Sequence, residues 1–390
     1  MKEHLLPILK SDLAKSSSII FLALFSSGLI MFFAELLFSK IFGPVIFGRF
    51  RTILYLFSFL PLIIELGIGV TLTKYIAEFR SRNKEKIGYI VKWFLKLRIL
   101  SYLVLMFLIF LFKEELSLIF LKDASLSYLI ITGIFLVGLS FFNFFSFVVL
   151  GYQKFKLFAI SNFLTSTASS IFGVLMIPFG IFFVIIGWSF GSLIGNILNI
   201  KFFFDKKIIK ISGEFNIKKI FWKFSIPMYL INIPTALFNF IIPLLSLFFS
   251  QLLIGYYSFA LIFYSATLLI STAISTVLFP KVSELNGLKK YDVAKKILKK
   301  VFLLYILIVF IGIILVVLIS DWLFVSFFES YLPSLFMFKA LVIFGLFFGL
   351  NTIYTNYLKG LGKVKKFALF TLIQNILLII ISFVLLGVSK

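Results

Sequence analysis

The sequence predicts an all-α polytopic membrane protein, and two observations carry that prediction. Hydrophobic residues make up 62% of the 390-residue chain, against about 45–50% in soluble domains. Apolar runs of about 20 residues or more recur along the whole length, each long enough to cross roughly 30 Å of hydrocarbon as a helix. Helices are expected because an open strand edge cannot be satisfied inside lipid.

Eleven membrane spans are predicted from these runs. They lie near residues 16–38, 47–77, 90–112, 126–151, 154–178, 180–204, 221–249, 252–280, 299–320, 333–358 and 366–388. The first run is longer than the core of a signal peptide, which has roughly 7–15 apolar residues, so we expect it to remain as a span.

The basic residues predict the orientation of these spans. With the N-terminus in the cytoplasm, 31 of the 38 lysines and arginines fall on the inner side and seven on the outer side. An excess of Lys and Arg inside is typical of oriented membrane proteins. We therefore expect a multi-pass protein of the cytoplasmic (inner) membrane with a cytoplasmic N-terminus. The net charge of +23 lies in short loops, so it indicates topology and not a nucleic-acid partner.

The chain also repeats itself. LGYQKFKLFA at 150–159 aligns with KGLGKVKKFA at 359–368, an offset of 209 residues. At an offset of 207 residues, Gly48 falls opposite Gly255, and the lysines at 74 and 281 also correspond.

The repeat predicts the domain organisation. An even number of spans in each copy gives both halves one orientation, an arrangement known in transporters with the substrate path between the halves. We predict two parallel-repeat bundles of about six helices around a central cavity, residues 1–218 and 219–390. Five helices are seen in the second bundle, and whether the chain is truncated or complete with eleven spans is left open.

The reactive side chains argue against an enzyme. The chain has no Cys, and His4 is its one histidine, so thiolate and imidazole chemistry are nearly excluded. Of fifteen acidic residues, Glu35 and Glu65 alone fall within predicted spans. The outer loops lack the paired acids with which a membrane glycosyltransferase or polymerase would hold a metal. We expect no catalytic residue, metal site or cofactor.

The second span carries charges that lipid penalises. Arg51, Tyr55, Ser58 and Glu65 share one helical stripe, with Glu65 about 21 Å from Arg51 along the axis. Such a stripe is expensive unless it faces water or protein, so we predict that it lines a substrate cavity. We expect a bend at the proline of position 61.

Arg49 joins this predicted cavity set with less support. It lies about 160° around the helix from Glu65. The alternative for Arg49 and Arg51 is that both sit at the outer interface and pair with Glu35.

Other polar residues extend the candidate set. Asn232 and Asn239 lie seven residues apart on the seventh span, and Lys339 lies two turns into the tenth. We assign all three to the cavity, although helix packing explains small polar stripes equally well. Lys92, Lys96 and Arg98 begin the third span and either attract a phosphate-bearing headgroup or snorkel to ordinary anionic lipids.

Four segments of the first two spans carry a family resemblance. Gly43-Pro44, Phe47-Gly48-Arg49-Phe50, Glu65-Leu66-Gly67 and Lys74-Tyr75-Ile76-Ala77 resemble the second-span signature of the polysaccharide-biosynthesis flippases. These oligosaccharide exporters belong to the multidrug/oligosaccharidyl-lipid/polysaccharide exporter superfamily. The Gly151-x-x-Lys154 turn is similar to that family as well.

The resemblance implies a flippase for surface polysaccharide or glycan assembly. Two bundles would move a polyprenyl-(pyro)phosphate-linked oligosaccharide across the membrane by alternating access. Arginine forks suit phosphate oxygens and amide or hydroxyl groups suit sugars, and Glu65 would carry a coupling H⁺ or Na⁺. The implied partners are the lipid-linked oligosaccharide, membrane lipids, and a glycan polymerase or glycosyltransferases.

Two other functions are weighed against the flippase. An ion-coupled multidrug or cation antiporter of the same fold would need a more acidic and aromatic cavity. A membrane scaffold that recruits glycosyltransferases would tolerate replacement of Arg51 and Glu65 together.

Overall fold

The computed structural model describes residues 12–82, 85–206, 208 and 217–388, and these residues are helical almost throughout. The α-helices are α1 (Asp12–Ile64), α2 (Ile68–Arg82), α3 (Glu85–Leu111), α4 (Lys113–Leu116), α5 (Ser127–Ser140), α6 (Asn143–Gly151), α7 (Phe155–Leu175), α8 (Ile181–Asp205), α9 (Ile217–Ile220), α10 (Ile226–Phe248), α11 (Gln251–Gly287), α12 (Tyr291–Phe327), α13 (Leu335–Gly360) and α14 (Val364–Val388). Short 3₁₀ or π-helical segments lie at Ser117–Leu121, Ala124–Leu126, Ile177–Phe179, Phe221–Ser225 and Glu329–Ser334. No strand occurs in the described ranges, and the predicted all-α membrane class is confirmed.

The number of spans depends on how bent helices are counted. Nine described helices are long and apolar enough to cross a membrane, or ten if Ile217–Ile231 and Ala236–Phe248, bent by 57°, form one span. One of the nine helices, Phe25–Ile64, has 40 residues. It is about 60 Å long, which is roughly twice the thickness of the bilayer core. Gly43 interrupts it with φ 66°. The eleven predicted spans are reached only if α1 is divided at Gly43.

The helices form two compact units. The first unit comprises Met1–Arg51 and Leu244–Lys390, and the second comprises Thr52–Pro243. These units are defined by contacts in the structure and not by the sequence repeat. The domain boundary that the repeat predicted at residue 218 therefore stays a prediction.

In the first unit, α11 and α13 pack along their length. Small residues let these helices approach, since Gly345 faces Thr267 of α11. Aromatic rings fill the space at one end, where Phe259 stacks on Tyr331 with centroids 4.3 Å apart.

In the second unit, α7 and α8 form the most extended contact. Gly191 and Gly195 of α8 lie against Ser169 and Thr165 of α7. This is the small-residue packing that holds membrane helices together where no hydrophobic driving force acts between them.

Glycines matched by the repeat occupy similar positions. Gly151 packs on Ile76 within the second unit, and Gly360 packs on Val282 within the first. Gly255 faces the carbonyl of Pro44, where a Cβ would overlap the backbone. The glycines that the repeat identified are thus sites of close helix approach.

Candidate functional site

The second predicted span is broken at Glu65–Gly67. Helix α1 ends at Ile64 and α2 begins at Ile68, while Leu66 and Gly67 have φ values of 49° and 72°. Pro61 keeps helical φ and ψ within α1, which a kinked helix also does, so the bend predicted there stays a prediction. The chain leaves helical geometry just after Glu65, where a glycine can adopt positive φ.

The carbonyl groups freed by this break have partners. Ser225 Oγ donates to the carbonyl of Leu66 at 2.7 Å, and Tyr229 Oη donates to that of Ile63 at 2.9 Å. The carbonyl of Gly67 begins the bonding of α2, since it accepts from the N–H of Thr71 at 3.1 Å and from Thr71 Oγ1 at 2.8 Å. Because hydrocarbon offers no water to unpaired carbonyls, these bonds stabilise a broken helix at membrane depth.

A cavity of about 410 Å³ opens beside the break. It is lined by Phe59, Leu62, Ile63, Glu65, Gly67, Val70, Tyr229, Ile233, Ala236, Leu237 and Asn239. The lining combines apolar surface with a carboxylate, a phenol and an amide. This combination is typical of ligand sites, in which a few polar groups orient a molecule held by apolar contacts.

Glu65 is the one charged residue among the described lining residues. Its carboxylate accepts a hydrogen bond from the backbone N–H of Gly69, and the cation that acts on it most strongly is Arg98. The ion pairs seen among described residues do not include Glu65. The carboxylate therefore keeps acceptor capacity for a bound ion or proton.

Arg51 is not among the described residues that line the cavity. Arg51 is buried in the first unit, where its Nη1 forms an ion pair with Oε1 of Glu35. This is the pairing that the alternative reading of Arg51 expected. Arg49 is partly buried, and among described residues nothing accepts a hydrogen bond from its Nε.

Tyr55 and Ser58 are not among the described residues that line the cavity. The ring of Tyr55 packs near that of Phe238, with centroids 6.2 Å apart, and Ser58 is exposed. The polar stripe therefore stays a prediction, with Glu65 one residue beyond the end of α1 at Ile64.

The remaining predicted residues divide in the same way. Asn239 lines the cavity with Glu65, whereas the side chain of Asn232 lies outside the described part of the structure. Lys339 pairs with Asp321 at 2.8 Å in the first unit.

The three cations predicted to meet headgroups are separated. Lys92 and Lys96 are exposed on α3, but Arg98 is buried at 3% exposure. Helical periodicity alone could have indicated this separation, since Arg98 lies about 200° around the helix from Lys96.

Tyr229 is the polar side chain of this lining that the sequence prediction missed. Its position four residues after Ser225 puts both on one face of a helix, which is the signal that could have identified it. Within the described ranges, no group of three or more acidic, His or Cys side chains is arranged to hold a metal ion.

Comparison with known proteins identifies the family and the fold. Residues 13–286 match the family model described as polysaccharide biosynthesis protein. No curated protein sequence matches the chain significantly.

Solved structures share the fold at low sequence identity. The lipid II flippase MurJ in an inward closed conformation is 18% identical with a TM-score of 0.68, covering 95% of this chain and 87% of its own. An outward-facing multidrug resistance MATE family transporter of the MOP superfamily is 12% identical with a TM-score of 0.67, covering 98% and 95%.

Proposed function

The chain belongs to the polysaccharide biosynthesis protein family, and from that premise we propose that it is a flippase. It moves a polyprenyl-(pyro)phosphate-linked oligosaccharide across the cytoplasmic membrane by alternating access between the two halves of the chain. The transported molecule is used for surface polysaccharide or glycan assembly.

The family match is the observation that carries this proposal. It extends over residues 13–286 and so includes the broken second span and every described residue of the cavity lining. The shared fold with a lipid II flippase supports a lipid-linked substrate.

The cavity residues have the chemistry that sugar binding needs. The amide of Asn239 both donates and accepts, and the phenol of Tyr229 lies beside the carboxylate of Glu65. Phe59 adds an aromatic surface. We assign these groups to the sugar part of the substrate.

The arginines are proposed to meet the phosphate part. Arg49 is the better candidate, because its buried Nε has no acceptor among described residues. Arg51 is committed to Glu35. An arginine fork that retains free donors suits two phosphate oxygens.

Glu65 is proposed to carry the coupling ion, H⁺ or Na⁺. A carboxylate at a helix break in the membrane is the kind of group that takes up and releases such an ion. The proposed setting is the inner membrane with a cytoplasmic N-terminus, beside glycosyltransferases or a glycan polymerase.

Complementation of a flippase-deficient strain tests the proposal. We expect the parent chain to restore glycan export, with Glu65→Gln and Arg49→Gln restoring much less at equal expression. Ser58→Ala is the matched control, because Ser58 is exposed and outside the described lining. Failure of the well-expressed parent across strains with different glycans would overturn the proposed substrate class.

A cation antiporter is the second candidate, and one observation favours it. Glu65 and the aromatic residues Phe59 and Tyr229 give the cavity the acidic and aromatic lining expected for a cationic drug. Efflux of a fluorescent cation by the parent and loss of efflux in Glu65→Gln would support this candidate, provided that complementation fails.

A further inference from the structure

Among the helix breaks of the second unit, two lie next to the charged residues Glu65 and Arg98. The first is Glu65–Gly67, and the second separates α5 from α6 at Phe141–Phe142. At the second break, the N–H of Phe144 bonds to the carbonyl of Phe141 at 3.0 Å. This bond spans three residues in place of four, so the carbonyl of Ser140 loses its usual helical partner.

Arg98 occupies the second break. Its Nη2 donates to the carbonyl of Ser140 at 3.3 Å and to Tyr102 Oη at 2.9 Å. The guanidinium lies over the rings of Phe141 and Phe144, with centroid distances of 5.8 and 5.9 Å. Arg98 thus supplies the hydrogen bond that the shortened helical turn removed.

Two donors of Arg98 remain unused. Nε and Nη1 are buried and have no hydrogen-bond partner among described residues. A buried guanidinium with unpaired donors is costly unless a counter-charge is near. Glu65, at the first break, is the carboxylate on which Arg98 acts electrostatically.

The segments that follow the two breaks also touch directly. Gly69 lies against the ring of Phe147, where a Cβ would not fit. Thr73 Oγ1 donates to the carbonyl of Phe147 at 3.3 Å. These contacts join α2 directly to α6.

We propose that Arg98 is a positioning residue that couples the charge of Glu65 to the bend between α5 and α6. This rests on the proposed ion-coupling role of Glu65. With Glu65 ionised, the guanidinium is held between the carboxylate and the carbonyl of Ser140. When an ion or proton neutralises Glu65, Arg98 loses its counter-charge, and its free donors turn to the carbonyls of the second break.

The groups that face Glu65 define the expected response to pH. Besides Arg98, the titratable groups that act on it are Tyr102 of α3 and Tyr229 of α10. Both phenols are neutral at neutral pH, where an unperturbed tyrosine has a pKa of about 10. The electrostatic interaction between Glu65 and Arg98 is therefore the one that changes when Glu65 takes up a proton.

A distance measurement across the second break tests the proposal. The chain has no cysteine, so Tyr128→Cys on α5 and Ser146→Cys on α6 carry spin labels at defined positions. We expect the label distance in the reconstituted full chain to shift between acidic and alkaline pH. Glu65→Gln and Arg98→Met should each lose that shift.

Matched variants separate charge from geometry. Lys96→Met removes an exposed cation from the same helix and should keep the parental shift. Arg98→Lys keeps the positive charge but lacks the planar guanidinium fork. We expect the effect of the coupling ion on its transport rate to be roughly tenfold smaller than in the parent, within the usual range of coupling between sites. If Arg98→Met does not fold, Arg98→Lys carries the same spin labels in its place, because it keeps the charge and removes the planar fork.

The outcomes distinguish the two proposals. If Glu65→Gln transports with parental ion dependence, the coupling role of Glu65 is wrong. If Glu65→Gln loses ion dependence while Arg98→Met or Arg98→Lys keeps both it and the distance shift, the role of Arg98 alone is overturned.

Discussion

Two carboxylates within the predicted spans meet arginines in different ways. In the first unit, Glu35 and Arg51 are both buried and form a direct ion pair. In the second unit, Glu65 lies at a helix break beside a cavity. It interacts electrostatically with Arg98 without forming an ion pair with it.

The difference separates a paired charge from one that lines a cavity. A closed pair satisfies both partners and leaves little capacity for a ligand, whereas a carboxylate beside a cavity can take up an ion. A buried pair contributes little net stability, but losing one partner is strongly destabilising. The comparison predicts that damage to the first pair acts on stability and damage to the second on transport.

The largest effect is expected for Arg51→Met. It leaves the carboxylate of Glu35 buried without its partner, which should lower the free energy of unfolding by about 3–5 kcal/mol. Chemical denaturation in detergent measures this loss. The Glu35→Leu/Arg51→Met double variant should recover most of it, and parental stability in Arg51→Met alone would contradict a locked pair.

Gly67→Ala should come next. Gly67 has φ 72°, and a Cβ there would overlap the carbonyl of Ser225, so we expect a loss of about 1–3 kcal/mol. Gly312→Ala is the control, since its Cβ would meet open space and alanine favours a helix. Equal thermal stability of the two variants would show that the break does not depend on glycine.

A smaller effect is expected for Ser225→Ala. It removes the hydrogen bond to the carbonyl of Leu66 and should cost about 1 kcal/mol. Faster hydrogen exchange confined to residues near the break would locate the effect. The exposed Ser58 provides the control substitution, and an unchanged exchange rate in Ser225→Ala would argue against its stabilising role.

The smallest effect is expected for Lys339→Met. The ion pair with Asp321 has side chains 33% and 63% exposed, and such surface pairs contribute about 0–1 kcal/mol. A melting temperature close to the parental value is expected. A loss of stability as large as that of Arg51→Met would mean that solvent exposure does not distinguish weak ion pairs from strong ones in this protein.

Much of the fold could be predicted because the signals are local. A long apolar run favours a membrane helix wherever it packs. Gly43 and Gly255 could be recognised from a signature and a repeat, and both occupy special backbone positions. Glu65 and Asn239 were both predicted cavity residues, and they line one cavity.

The site as a whole could not be predicted, because its geometry depends on contacts between distant segments. No local signal showed that the helix would break directly after Glu65, where Leu66 and Gly67 leave helical geometry. Partners from α10 and the π-helical turn before it satisfy the freed carbonyls.

The sequence by itself therefore determined the membrane class, the candidate spans and the few polar residues that lipid would penalise, because hydropathy and charge are properties of short segments. The tertiary structure decided which of those charges are paired. Helical periodicity assigns a side chain to a face, but packing alone decides what that face meets. For this reason Arg51 meets Glu35, and Arg98 lies inside the second unit between two helix breaks.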